Sequence, residues 1–405
     1  MLRFKEKIPA FKSVSSDILL NLLATFVSTG VMQLVLYPQL ALHMSDDSYG
    51  EMLTAMGFVN ILILSFGNSL CNARIVVNKE YQKAGIIGDF QIILLLSVII
   101  CIILVTASDF YFKWPLPIFI GIIFVAVLSV LKSYYFVAYR ITLNYKQNLY
   151  ANIVMAVVYV LGSFILIKFV SWPFLFAFPC LIGLFYVGLS SDILKEPFVK
   201  TDRYKATTKV VYMLVLSGII GNITQYLDRF IVLPLLGGSS VSYYTVAAFF
   251  SKSLSMVLLP MTGVLLTYFA SDQISINKRR FDLINFGLLI VSALFLIISV
   301  TLGGFVTKLL YPTLINSSSQ YILLASIGVI IGIADSFNGI VVLAKAPSYW
   351  QVVLSSTKTL IYFVSCIILV KQMGLFGLCW GIILTNFLGF TANYAVGTFY
   401  LKKCK

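Results

Sequence analysis

The chain has 405 residues, 60% of them hydrophobic and 11% charged, with a mean hydropathy of +0.97. Soluble domains carry roughly 25% charged residues, so this composition excludes a soluble globular protein. The net charge of +14 is not a nucleic-acid footprint, because the basic residues gather in short segments between apolar runs.

Those runs are each long enough to cross the hydrocarbon core, and none shows the alternating period of a membrane β-barrel strand. The N-terminal MLRFKEKIPAFKS is basic and has no apolar signal-peptide core. The first apolar run after it is too long for a cleaved leader and reads as a retained helix. Twelve spans follow, near 18–41, 50–71, 88–108, 116–138, 149–169, 172–190, 209–236, 241–269, 283–307, 319–344, 350–370 and 375–400. The expected fold class is therefore an all-α polytopic membrane protein of 12 transmembrane helices.

Counting Lys and Arg in the connections puts 22 on the side of the N-terminus and 4 on the other (Lys113, Lys168, Lys308 and Lys371). The positive-inside rule then places both termini in the cytoplasm. The opposite loops are short, and no segment is long enough to fold as a soluble domain. The longest connection, 191–208, is basic and divides the spans six and six. The expected domains are an N-terminal six-helix lobe (1–190), the cytoplasmic connection (191–208) and a C-terminal six-helix lobe (209–405). A six-span repeat keeps its orientation, so the lobes would be related by an axis along the membrane normal. Gln33 falls on Gln225 at an offset of 192, and the turn DDSYGEM (46–52) overlies SVSYYTV (240–246).

Charges within apolar spans are costly, by at least about 2.5–3.5 kcal/mol each, and they mark paths for substrates or ions. The seventh to eleventh spans hold Asp228, Arg229, Lys252, Asp335 and Lys358. By depth, Asp335 and Lys358 lie at one level on consecutive antiparallel helices. In the first half the cations stay near the cytoplasmic mouth, at Arg74, Lys132 and Arg140. Polar stripes with helical spacing (Gly218, Asn222, Gln225, Arg229; Gln351, Ser355, Lys358; Asn60, Asn68, Asn72) suggest a hydrophilic interior. The same amides would equally serve as hydrogen-bonding glue between helices. Arg offers bidentate phosphate binding and Lys a compact charge, which suits an anionic head group. Gly328/Gly332 and Gly377/Gly381 have the spacing of close helix packing. The six Cys form no CxxC pair and His43 stands alone, so neither a disulfide framework nor a metal site is expected. No P-loop and no acidic pair in a large loop is present, so catalysis is not expected.

The run YLDRFIVLPLLGGSSVSYYTVAAFFSK, the opening MGLFGLCWGIILTN of the last span and its Gly-x-x-Gly at 374–377 resemble the polysaccharide-transporter branch of the MOP exporter superfamily. Within it, the O-antigen (Wzx-type) flippases are most similar. The resemblance implies two six-helix lobes in a V around a central cavity. It implies alternating access, and a cargo of undecaprenyl-diphosphate-linked oligosaccharide moved from the cytoplasmic to the periplasmic leaflet. Arg229, Lys252 and Lys358 would hold the anionic head, with Asn60, Asn68, Asn222 and Gln225 as polar lumen residues. Asp228 and Asp335 would pair with those charges or couple transport to a proton or sodium gradient; no other cofactor is implied. The implied setting is the bacterial inner membrane, with membrane lipids, a polysaccharide polymerase and a chain-length regulator as partners. The chain departs from the pattern at the sixth span, SWPFLFAFPC, which lacks the Gly-x-x-Gly. Two other readings compete: a MATE-like cation-coupled multidrug exporter, which should favour acids over bases in its interior, and an O-antigen polymerase or ligase, which should carry a long outer loop.

Overall fold

The computed structural model describes residues 11–270, 277–347 and 349–403, and no strand occurs among them. Arg3, Lys5, Lys7 and Lys405, used in the orientation count, lie outside the described residues. The helices are α1 (11–43), α2 (46–84), α3 (Phe90–Phe112), α4 (Leu116–Tyr135), α5 (Tyr145–Phe164), α6 (Trp172–Ser190), α7 (Tyr204–Leu236), α8 (Gly238–Ala270), α9 (Lys278–Leu310) and α10 (Ile315–Lys345). The last helical stretch, Tyr349–Lys403, is broken at Gly374 (φ 57, ψ −136) into α11 (349–373) and α12 (375–403). Among the described residues, ten stretches are long and apolar enough to cross a membrane. The break at Gly374 makes two spans of the last of these, and α8 adds 33 residues with Lys252 as its sole charge. The fold class is thus the expected one, a polytopic bundle of α-helices.

The helix ends follow from local chemistry. Gly85 takes the left-handed conformation that lets α2 stop, and its amide returns to the Gln82 carbonyl. Prolines stand in the first turns of α4 and α6, where a missing N–H costs nothing. Asn144 and Asn277 cap α5 and α9 by accepting from the amides of Gln147 and Arg280. α7 begins at Tyr204, ahead of the expected 209, because its first turn is polar and extends beyond the apolar stretch that hydropathy detects. π-helical turns interrupt α1 at Met32–Leu36 and α2 at Ile63–Gly67.

The chain divides into two compact units, residues 1–43 with 55–226, and residues 44–54 with 227–405. In the first unit α5 lies against α1 and α6, α4 packs on α6 and α3, and the π-turn of α2 packs on α4. A polar ladder runs between α1 and α5: Asn148 donates to Asn21, Asn152 to Asn148, and Ser28 to Asn152.

In the second unit α10 is central, contacting α8, α9, α11 and α12. Phe281, Ile340, Val341 and Leu401 form one apolar cluster there, and Phe295, Ile330 and Ile333 another. The small-residue spacing on α10 serves close packing: Asn386 of α12 donates to the Gly328 carbonyl at 2.8 Å.

The starts of α2 and α8 also meet in this unit. Ser242 donates to the Asp46 carbonyl at 2.5 Å, and the Ser239 amide donates to Asp47 Oδ1 at 3.0 Å. A Cβ on Gly50 would collide with the Gly238 carbonyl. These contacts exchange with one another at an offset of 192: 46 with 242 becomes 238 with 50, and 47 with 239 maps onto itself. The helix starts, Asp46 and Gly238, share that offset. The overlay of 46–52 on 240–246, an offset of 194, is therefore displaced by two residues from the register that the contacts follow.

Candidate functional site

The charges of α7 and α8 are joined. Gly237, at φ 82, turns α7 back into α8. Side chains on a helix lean toward its N-terminus, so Asp228 leans inward from the turn and Lys252 leans outward toward it. They meet with Lys252 Nζ donating to Asp228 Oδ2 at 2.6 Å, while the Arg229 amide donates to Oδ1 at 2.9 Å. The ammonium also lies 5.2 Å from the Tyr244 ring centroid. Arg229 donates through Nη1 to the Leu53 carbonyl at 2.6 Å.

Asp335 and Lys358, placed at one depth by residue counting, form a second pair at 2.5 Å. Asn393 of α12 donates to the other carboxylate oxygen at 2.7 Å. This triad borders a cavity of about 320 Å³ between α10, α11 and α12, to which Gln351 and Ser355 of the eleventh-span stripe also contribute. The two pairs have one design. The carboxylates are 3% and 5% exposed, whereas their lysines are 35% and 27% exposed. Each acid is buried behind its more exposed cation.

In the first unit the expected polar residues are more scattered. Asn60 and Asn222 are half-buried, while Asn68 and Gln225 are exposed. Asn68 accepts from Ser133 at 2.5 Å, and Asn222 makes a long bond of 3.4 Å to Ser65. Arg140 is exposed and donates to Cys71 Sγ and Asn72 Oδ1, and Lys132 rests over the Phe136 ring at 5.3 Å. Arg74 is buried, stacks 4.7 Å above Phe90 and is ion-paired to Glu196 at 2.6 Å. The three cations thus occupy three separate surroundings.

Two acids of this unit escaped sequence reasoning. Glu196, in the connection between α6 and α7, is pushed above the usual carboxylate range by burial, an effect that Arg74 opposes. Asp89, buried at the start of α3, accepts from the Thr201 amide, the Thr201 hydroxyl and Tyr81 at 2.7, 2.5 and 2.6 Å. Burial, reinforced by the bond to Asp89, pushes the Tyr81 phenol up to about 12. Asp89 and Glu196 together fasten the connecting segment to the unit. The only sequence signal was an Asp preceding an apolar run, the pattern of a helix cap. Cys71, Cys101, Cys180, Cys366 and Cys379 are free and buried.

Neither the protein-family models nor the curated proteins include a match to this chain. Solved structures do match. An inward-facing multidrug resistance MATE family transporter of the MOP superfamily superposes with a TM-score of 0.67 at 13% identity, covering 96% of this chain and 98% of that one. The lipid II flippase MurJ, in an inward closed conformation, gives 0.67 at 15% identity, covering 96% and 87%. The eukaryotic MATE transporter AtDTX14 gives 0.59 at 12% identity, covering 97% and 98%. With its membrane-length helices, the chain is a multi-pass membrane protein with the fold shared by the MATE transporters and MurJ.

Proposed function

We propose that the chain is a flippase that carries an undecaprenyl-diphosphate-linked oligosaccharide, of the O-antigen kind, from the cytoplasmic to the outer leaflet by alternating access. The observation that carries this reading is the orientation of the two buried pairs, with Asp228 and Asp335 sealed behind Lys252 and Lys358. Together with Arg229 this presents positive charge to a ligand, which suits a diphosphate and repels a cationic drug. The fold, shared with a lipid II flippase, supports the same reading. Residues 1–190 and 209–405 would act as the two moving lobes, in an inner membrane with both termini cytoplasmic.

The second reading, a MATE-like drug exporter, is favoured by the equal likeness to MATE transporters. Neutralising Arg229, Lys252 and Lys358 separately, as Arg229→Gln, Lys252→Met and Lys358→Met, decides between them. The flippase reading expects each variant to reach the membrane and to lower surface polysaccharide. Normal polymer in all three, with altered drug export, would overturn it.

A further inference from the structure

The connection between α6 and α7 is fastened to the first unit at closely spaced points. Ile193 is buried, and its carbonyl accepts from Gln91 at 3.0 Å. The Val199 carbonyl accepts from the Asp89 amide at 2.8 Å, and Thr207, in the first turn of α7, shares a 2.7 Å bond with Tyr81. With the bonds at Glu196 and Thr201, these hold the backbone in place. Between the fastened positions the side chains of Leu194, Phe198 and Val199 are exposed, Phe198 by 64%. Apolar side chains displayed on a fixed segment outside the spans call for a covering partner.

The neighbouring helices show what that partner is. In α6, Leu181, Phe185 and Leu189 recur every fourth residue and are exposed, which makes them the acyl-facing stripe of a membrane span. Leu194 continues that surface past the helix end, since a Cβ on Gly188 would lie 3.7 Å from Leu194 Cδ2. In α7, Lys205, Lys209, Met213, Leu216 and Ile220 are spaced 4, 4, 3 and 4, share one face and are exposed. This face is opposite the polar stripe, whose Gly218 and Asn222 pack on Ser65. Two lysines thus end an acyl-facing stripe, where the head groups begin. Side chains lean toward the helix N-terminus, which carries the two ammonium groups further out.

The charge of this surface is uncompensated. Lys195 pairs with Asp192, Arg203 with Glu80 and Glu196 with Arg74. Lys200, Lys205 and Lys209 make no ion pair among the described residues. Lys200 lies instead 5.0 Å from the Tyr204 ring centroid. Asp202 is the one acid of the stretch 191–209 left to set against these three lysines.

We propose that the connecting segment and the first turns of α7 form a docking site for an anionic phospholipid. Lys200, Lys205 and Lys209 take the head-group phosphate, and Leu194 and Phe198 sit among the acyl chains. The fastened backbone leaves little to be ordered on binding. The site follows from the membrane placement of the chain alone and does not depend on the identity of the cargo.

The test uses the full chain carrying Phe198→Trp, reconstituted in vesicles of phosphatidylcholine with a minor share of phosphatidylglycerol. One lipid or the other carries bromine on its acyl chains, and the emission of the parent chain is subtracted. Brominated phosphatidylglycerol is expected to quench the added indole several-fold more, mole for mole, than brominated phosphatidylcholine. Lys200→Gln with Lys205→Gln and Lys209→Gln should make the two lipids equal. High salt should do the same with the lysines intact. Absence of quenching by either lipid would overturn the proposal and assign the surface to a water-soluble protein partner. Equal quenching by both lipids at low salt with the lysines intact would also overturn it. So would a preference for phosphatidylglycerol that neither the triple variant nor salt removes.

Discussion

Asp228 is held between the Lys252 ammonium and the amide of Arg229 in a setting closed to solvent. Removing one partner of such a pair costs about 3–5 kcal/mol, whereas replacing both with neutral groups of similar volume is nearly free. Lys252→Ala should therefore lower the unfolding temperature in detergent markedly, and Lys252→Met with Asp228→Asn should restore it. A restored double variant that still exports no polysaccharide would separate the lysine's ligand role from its structural one. An unchanged unfolding temperature in the single variant would show that Asp228 is not sealed from solvent as described. These residues were legible in sequence because a charge stands out against an apolar span. Glu196 was not: its partner Arg74 is 122 positions away, and a carboxylate in a polar connection looks ordinary until folding buries it.

Among the elements, Gly374 carries the clearest local demand. Nothing lies within 4 Å of where its Cβ would be, so an added methyl meets no steric obstacle. The backbone at φ 57, ψ −136 is nevertheless one that only glycine adopts without strain. Gly374→Ala should cost about 1–3 kcal/mol, visible as a lower unfolding temperature. A variant as stable as the parent would mean that α11 and α12 tolerate another junction. The sequence showed a glycine pair entering the last span, but not that helix continues on both sides of a single residue. Helix number and type were readable because hydropathy and length decide them. The register of α2 against α8 was not, since it depends on close backbone approach at Gly50 and Gly238, which no side-chain pattern encodes.

For the whole molecule, the sidedness rests on the 22-to-4 division of basic residues. In a Cys404→Ser background, Lys113→Cys should react with a membrane-impermeant thiol reagent applied to intact cells, and Arg203→Cys only after permeabilisation. The reverse pattern would invert the orientation and, with it, the direction proposed for the cargo. The native cysteines of the described residues are buried and leave that signal clean.

The sealed lysine–carboxylate pairs also bear on what the membrane voltage can do. A potential of 100 mV does work of about 2.3 kcal/mol on each elementary charge carried fully across. A lysine that moves together with its aspartate carries a net charge of zero, so the field does no work on either pair during a rocking motion. Whatever electrical force the cycle experiences then falls on Arg229 and on the anionic cargo. An inside-negative potential pushes such a cargo outward, so the loaded carrier is driven in the direction of export, whereas in the empty carrier the field acts on Arg229 alone.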